Sequence, residues 1–250
     1  MATRRSGRIL VGVGGWNFAP WRGSFYPEDL PQARELHYAS RALTSIEINS
    51  TFYGLQKPAT FEKWRDLAPD GFVFSMKAPR FVTNRRRLAE GASSIERFLG
   101  SGVLQLGAKL GPINWQLAPT KHFDAQEIAE FLALLPHELE GRVLRHALEV
   151  RHPSFDCDEF ISLAREHRVA VVEAGDSSYP RIEASTAPFS YLRVMGTKST
   201  APKGYAPAAL ARWRERAQTL AHDGDVFVYF ISGAKERNPQ AALALLAALE

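Results

Sequence analysis

Apolar and polar positions along the chain switch repeatedly between a period of two and a period near three and a half. Residues 8–13 form a β-branched apolar run closed by Gly14-Gly15, the pattern of a strand ending in a loop. Residues 31–43 then carry Leu36, Ala39 and Leu43 at helical spacing, and residues 45–51 alternate like a strand. The spacing goes on to predict a helix at 58–67, a strand at 71–78, and an interrupted helix at 93–109 weakened by Gly100, Gly102 and Gly107. A strand at 111–117, a helix at 124–135, a strand at 146–150, a helix at 158–167 with acids in its first turn, and a strand at 169–174 follow. Between Ala174 and Phe189, Ser, Pro, Thr and Gly dominate, so a loop with at most one turn replaces a sixth helix. Strands at 189–194 and 225–231 flank a helix at 207–221. The last helix is predicted with Asn238 as N-cap and Pro239 at its first position.

Eight strands alternating with about seven helices fit a closed parallel (β/α)8 TIM-like barrel, and the same alternation fits a doubly wound sheet. Length decides for the barrel, because 250 residues are what eight strand–helix units need with little left over. No linker, low-complexity stretch or charge block divides the chain, which predicts one domain over 1–250. No run of 18 apolar residues exists, and the apolar segment near the start is too short for a secretory leader, so a cytoplasmic protein without membrane association is expected. The one cysteine, Cys157, allows no intrachain disulfide and suits a reducing compartment. Acidic neighbours Asp156, Asp158 and Glu159 would raise its thiol pKa, opposite to what a nucleophile needs.

Candidate chemistry follows from strand phase. In a barrel the site lies at the carboxyl ends of the strands, so polar residues in the inward phase there are the ones to find. Glu47, Asn49 and Thr51 share a face opposite Ile46 and Ile48, and only the apolar pair suits packing against outer helices. By the same reasoning Glu149 and Arg151 turn inward opposite Leu148 and Val150, with His152 just beyond. Lys77 ends the third strand, Asn114 and Gln116 share the fourth, Glu173 lies near the end of the sixth, and Arg193 shares a face with Tyr191 on the seventh. Buried charges cost several kcal/mol each unless paired, so these positions predict either a ligand site or an internal network pairing Glu47 with Lys77 or Arg193 and Glu149 with Arg151. Trp16 and its neighbours Phe18, Trp21, Phe25 and Tyr26 could wall a pocket or pack under the first loop; Tyr53, beside a polar strand end, is the better ligand contact.

Charge tilts the expectation toward an anionic ligand: 31 Lys and Arg stand against 27 Asp and Glu. Arginines concentrate at Arg80, Arg85, Arg86 and Arg87 and at Arg4, Arg5 and Arg8, either as a solvated face or as a polyanion contact. Gly12-Val13-Gly14-Gly15 is not a dinucleotide fingerprint and no P-loop lysine follows, so no nucleotide cofactor is expected. Seven histidines are scattered and there is no paired-cysteine motif, which excludes a multi-histidine zinc site. A hard cation held by Glu47, Glu149 and Glu173 is conceivable, but the neighbouring lysine and arginines disfavour it, so no metal ligand is assigned.

The residues also resemble a family. Gly14-Gly15-Trp16, Trp21-Arg22-Gly23-Ser24-Phe25-Tyr26-Pro27, Ile46-Glu47-Ile48-Asn49-Ser50-Thr51-Phe52-Tyr53, Lys77-Ala78-Pro79, Leu110-Gly111-Pro112, Glu149-Val150-Arg151-His152-Pro153-Ser154 and Tyr191-Leu192-Arg193 are similar to blocks of the YecE-like family, domain of unknown function 72. The resemblance implies a barrel related in shape to sugar isomerases and endonuclease-IV-like phosphodiesterases, and no specific reaction. It implies a polar pocket of Glu47, Asn49, Tyr53, Lys77, Gln116, Glu149, Arg151, His152 and Arg193. Asn84 and Met195 stand where the family pattern has histidines, and Ile231-Ser232 where it has paired asparagines, so two proton carriers are missing here.

The combined expectation is an enzyme acting on a small polar anion, sugar-like or phosphorylated, with Glu47 and Glu149 as acid and base. Lys77 is the third catalytic residue; it and Arg151 and Arg193 hold the anion or stabilise developing negative charge, with Trp16, Asn49, Tyr53, Gln116 and His152 as further substrate contacts. The alternatives are a nucleic-acid-binding protein or phosphodiesterase working through the arginine loop, and a non-catalytic binder.

Overall fold

The computed structural model describes residues 6–250, so Arg4 and Arg5 lie outside the described residues. Among the described residues there are eleven strands: β1 (Ile9–Gly14), β2 (Ser45–Ile48), β3 (Val73–Lys77), β4 (Leu110–Gln116), β5 (Glu138–Leu139), β6 (Arg142–Val143), β7 (His146–Glu149), β8 (Ala170–Val171), β9 (Glu173–Gly175), β10 (Phe189–Val194) and β11 (Asp225–Phe230). β5 and β6 form a small antiparallel hairpin. The other nine make one parallel sheet in the order β8-β7-β4-β3-β2-β1-β11-β10-β9. Its two ends are one stave: β8 pairs with β7, β9 pairs with β10, and only Val172 separates them. The sheet therefore curls onto itself as a nearly closed eight-stave (β/α)8 TIM-like barrel.

The helices are α1 (Glu35–Ala42), α2 (Ser50–Tyr53), α3 (Pro58–Leu67), α4 (Arg80–Thr83), α5 (Ala92–Leu99), α6 (Ala125–Ala133), α7 (Asp158–Glu166), α8 (Pro207–Leu220) and α9 (Asn238–Leu249). No helix joins β9 to β10, as the polar stretch between them predicts. Three local expectations are corrected. The second strand stops at Ile48, because the chain turns helical at Asn49 into α2; Thr51 consequently leaves the strand phase and donates its hydroxyl to the Lys77 carbonyl at 2.7 Å. The expected helix at 93–109 is α5 plus a kinked 3-10 stretch, broken where Gly102 and Gly107 take positive φ of 111° and 58°. Asn238 is the first residue of α9 instead of its cap, and its side chain turns to Thr197 Oγ1 (2.7 Å) and the Ser232 carbonyl (3.3 Å).

Strand alternation produces two cores. Ile46, Ile48, Leu148, Val150, Leu192 and Val194 face the helices and join the large outer core. Leu10, Val73, Ala147, Ala170, Phe189, Tyr191, Phe227 and Tyr229 fill the barrel interior. Above this plug the inward positions turn polar, and that change sets the floor of the mouth.

Candidate functional site

The floor is a chain of alternating charges. Glu47 is fully buried at the end of β2; it accepts Tyr191 Oη at 2.6 Å and Arg193 through Nε (3.1 Å) and Nη2 (2.9 Å). The opposite face of the same guanidinium donates through Nη1 to Glu149 Oε2. Glu149, also fully buried, accepts Gln116 Nε2 (2.8 Å) and Asn114 Nδ2 (3.3 Å) on Oε2, and Arg151 Nε (2.9 Å) on Oε1. Burial alone would raise this carboxyl, but Arg193 and Arg151 outweigh it and hold the group at about 2. Parallel register sets the local neighbours: Glu47 pairs with Ser75 across β2–β3, Lys77 with Asn114 across β3–β4, and Gln116 with Glu149 across β4–β7.

Above the floor opens a cavity of about 710 Å³. Its wall includes Trp16, Asn49, Tyr53, Lys77, Gln116, Arg151 and Arg193, seven of the ten residues expected from strand phase and resemblance. Gly14 makes room for Asn49, since a Cβ there would lie 2.7 Å from Asn49 Nδ2. Trp16 stands edge-on to Trp64, with ring centres 5.3 Å apart, whereas Trp21, Phe25 and Tyr26 belong to the core below the first loop. Tyr53 is 69% exposed on the rim, with the Arg80 guanidinium 5.6 Å from its ring.

Lys77 ends β3 on this wall, with Nζ 3.8 Å from the centre of the Phe52 ring. Among the described residues it makes no ion pair and no side-chain hydrogen bond, although 9% exposed. Burial, reinforced by the neighbouring Arg193 charge and opposed by Glu47 and Glu149, lowers its ammonium to about 8.

Three expected residues are not on the wall. Glu47 and Glu149 lie beneath it and reach the cavity through residues that do line it, Arg193, Arg151 and Gln116. His152 faces the fourth and fifth loops: its Nδ1 accepts the Ser154 N–H (3.2 Å), and its ring lies against His122 with centres 3.7 Å apart. Glu173 faces outward, gripped by Arg181 and Arg216 at 2.8–3.0 Å, so the three-carboxylate cation site is not assembled. Alternation runs unbroken through the sixth stave: Ala170, Val172 and Ala174 take the inward positions, so Glu173 falls in the outward phase with Val171.

The sequence reading missed Lys235. It lies beyond β11 on the cavity wall, its Nζ 4.2 Å from the Phe18 ring centre, and burial lowers its ammonium. Its carbonyl accepts Trp21 Nε1 at 2.9 Å, tying the first loop to the eighth. The signal available was position: a lysine in a loop following a barrel strand. Of the departures from the family pattern, Asn84, Ile231 and Ser232 line the cavity, and Met195 is buried in the interior core. Ser232 takes a positive φ of 55°, which turns the chain sharply after β11.

Known proteins agree with this architecture. A family described as "Protein of unknown function DUF72" matches residues 10–250. UPF0759 protein YecE of Escherichia coli K12 is 30% identical over 150 residues, covering 59% of this chain and 50% of that protein, and UPF0759 protein YunF of Bacillus subtilis is 29% identical over 79 residues. The chain thus aligns with half or less of the length of these curated relatives. A DUF72 protein of Thermotoga maritima superposes with a TM-score of 0.77 at 20% identity, covering 97% of this chain and 99% of that one. A protein titled as a fusion of a xylose isomerase-like TIM barrel and a 4-hydroxyphenylpyruvate dioxygenase superposes at 0.56 and 16% identity over 98% of this chain and 43% of its own. These structural likenesses carry the fold. Among the described residues no helix is long and apolar enough to cross a membrane. With a profile match across nearly its whole length and the barrel to accompany it, the chain belongs to the DUF72 family.

Proposed function

We propose that the protein is an enzyme whose barrel mouth takes a small polar anion, a carboxylate or phosphate on a sugar-like frame. One observation carries the reading: among the described residues the cavity wall contains Lys77, Arg151, Arg193 and Lys235 and no Asp or Glu. The carboxylates that balance the two arginines are below the floor, so the cavity meets an excess of positive charge in a partly dehydrated space, where Coulomb attraction is strong. Arg193 and Arg151 are held in fixed orientation by Glu47 and Glu149, which suits recognition of a planar anion. Asn49 and Gln116 supply amides for hydroxyls, and Trp16 and Tyr53 supply ring surface. In this reading Glu47 and Glu149 are positioning residues, and the group on the wall able to exchange a proton near neutral pH is Lys77.

Less supports a nucleic-acid interface at the arginine loop. Arg85 is spent on the Phe81 carbonyl (3.0 Å) and Ser94 Oγ (2.8 Å), and Arg87 faces Glu90 at 3.9 Å.

Thermal melts with inorganic phosphate, lactate, glucose 6-phosphate, neutral glucose and a short oligonucleotide test the reading. A rise with the small anions but not with glucose, lost in a folded Lys235→Met variant, is the expected result. A rise only with the oligonucleotide, or none with any anion, would reject it.

A further inference from the structure

We propose that Lys77 is a nucleophilic amine that condenses with the carbonyl carbon of a small anionic aldehyde or ketone, forming an imine in the barrel mouth; this deepens, and rests on, the anion-site reading. Four observations point to this chemistry. Nζ stands on the wall of a 710 Å³ cavity and is engaged by no carboxylate among the described residues, so its lone pair is not tied up once the proton leaves. The Phe52 ring, 3.8 Å away, packs against it and limits hydration. Arg193 and Lys235 share the wall and can hold the anionic end of a substrate while the carbonyl end reaches Nζ. Among the described residues no carboxylate or imidazole lines the cavity to activate the hydroxyls of Ser50, Tyr53 and Ser232, so an unprotonated amine is the stronger nucleophile on the wall.

The step balances without a redox partner. The free amine attacks the carbonyl carbon; a C–N bond forms, and the carbonyl π pair moves to oxygen, which takes a proton from water as the nitrogen gives one up. A second protonation releases that oxygen as water, and the nitrogen lone pair completes a protonated imine. The sum is ammonium plus carbonyl going to iminium plus water, so the charge of the pocket is unchanged and the buried Glu47 and Glu149 stabilise the iminium as they did the ammonium. Lys77, lowered to about 8, is roughly one-tenth unprotonated at pH 7, on the order of a hundredfold more than an ordinary lysine.

The test incubates the full chain with pyruvate or dihydroxyacetone phosphate and sodium cyanoborohydride, then reads intact mass and a peptide map. One adduct per chain is expected, on Lys77 about a hundredfold ahead of surface lysines such as Lys57 and Lys63. Its rate rises from pH 6 and levels above about 8, and it disappears in Lys77→Arg. Because the peptide map locates the adduct in the unaltered protein, the outcome does not depend on that variant folding. Melts with lactate and inorganic phosphate, which cannot form imines, run in parallel. If they stabilise the protein but no adduct forms, or adducts spread evenly over lysines, the imine is rejected and the anion site stands. If they do not and no adduct forms, both readings fall.

Discussion

Two glutamate–arginine clusters, each built on a buried carboxylate, sit on neighbouring staves of the same barrel, and they differ in their surroundings. Outside the sixth stave, Glu173 takes Arg181 on one oxygen and Arg216 on the other, and Glu183 pairs with both arginines at 3.2 and 3.3 Å. Two acids match two bases, Trp213 lies 5.0 Å from the Arg181 guanidinium, and the adjoining cavity is only about 10 Å³. Inside the mouth, Glu47 and Glu149 match Arg193 and Arg151 equally well, yet Lys77 and Lys235 are left over beside about 710 Å³ of space. Buried ion pairs therefore do not distinguish a site from a strut; the surplus cations and the open volume do.

The largest contrast is expected on removing each cluster's central cation. Arg193→Leu strands the fully buried Glu47 without a cation, leaves Glu149 with Arg151 alone, and should cost about 3–5 kcal/mol in urea unfolding. That corresponds to a melting temperature lower by roughly 10 °C. If the loss is under about 1 kcal/mol, the floor is not held by Arg193.

Acid sharpens the same comparison. Glu149 ionises at about 2 in the folded chain, below its ordinary 4.5, so its contribution is complete above pH 4.5 and is lost as pH falls toward 2. The loss reaches about 3 kcal/mol at most. A Glu149→Gln variant should show a flatter stability profile across that window, and an unchanged acid limb would remove Glu149 from the account. His146, its ring accepting Trp115 Nε1 at 3.1 Å and donating to the Pro136 carbonyl at 2.8 Å, is pushed down to about 4 by burial. Protonation of the unfolded chain should therefore erode stability from pH 6.5 down to 4, before Glu149 begins to titrate.

A small anion at ten times its Kd should stabilise the native protein by about 1.4 kcal/mol. The gain should shrink as pH rises through 8, because Lys77 then loses the proton that attracts the anion. A pH-independent gain would assign the anion to Arg193 and Arg151. The smallest effect belongs to the outer cluster: Arg216→Met leaves Glu173 with Arg181 and should cost about 1 kcal/mol. A loss as large as that of Arg193→Leu would erase the distinction between the clusters.

Much of this site was legible from strand phase. Period-two alternation turns Glu47 and Glu149 inward whatever surrounds them, because Ile46, Ile48, Leu148 and Val150 must meet the helices. Phase says nothing of depth along the barrel axis, and depth separates Glu149 under the floor from Arg151 on the wall, two residues later and just past the end of β7. A position near a strand's end is not enough by itself: Glu173 turns outward because Ala170, Val172 and Ala174 take the inward positions, and His152 lies past the end of β7, where a loop bond to Ser154 turns the ring away. Lys235 escaped notice because a loop has no period from which to read it.

The sequence by itself determined the barrel, its missing sixth helix, and which polar residues enter the interior, because hydrophobic periodicity acts locally on each strand and helix. Only the tertiary structure decided which charges neutralise one another, since Glu47, Glu149 and Arg193 lie on three staves and meet through sheet register and closure. That pairing leaves Lys77 and Lys235 uncompensated at the mouth, a property of the assembled barrel that no single segment carries.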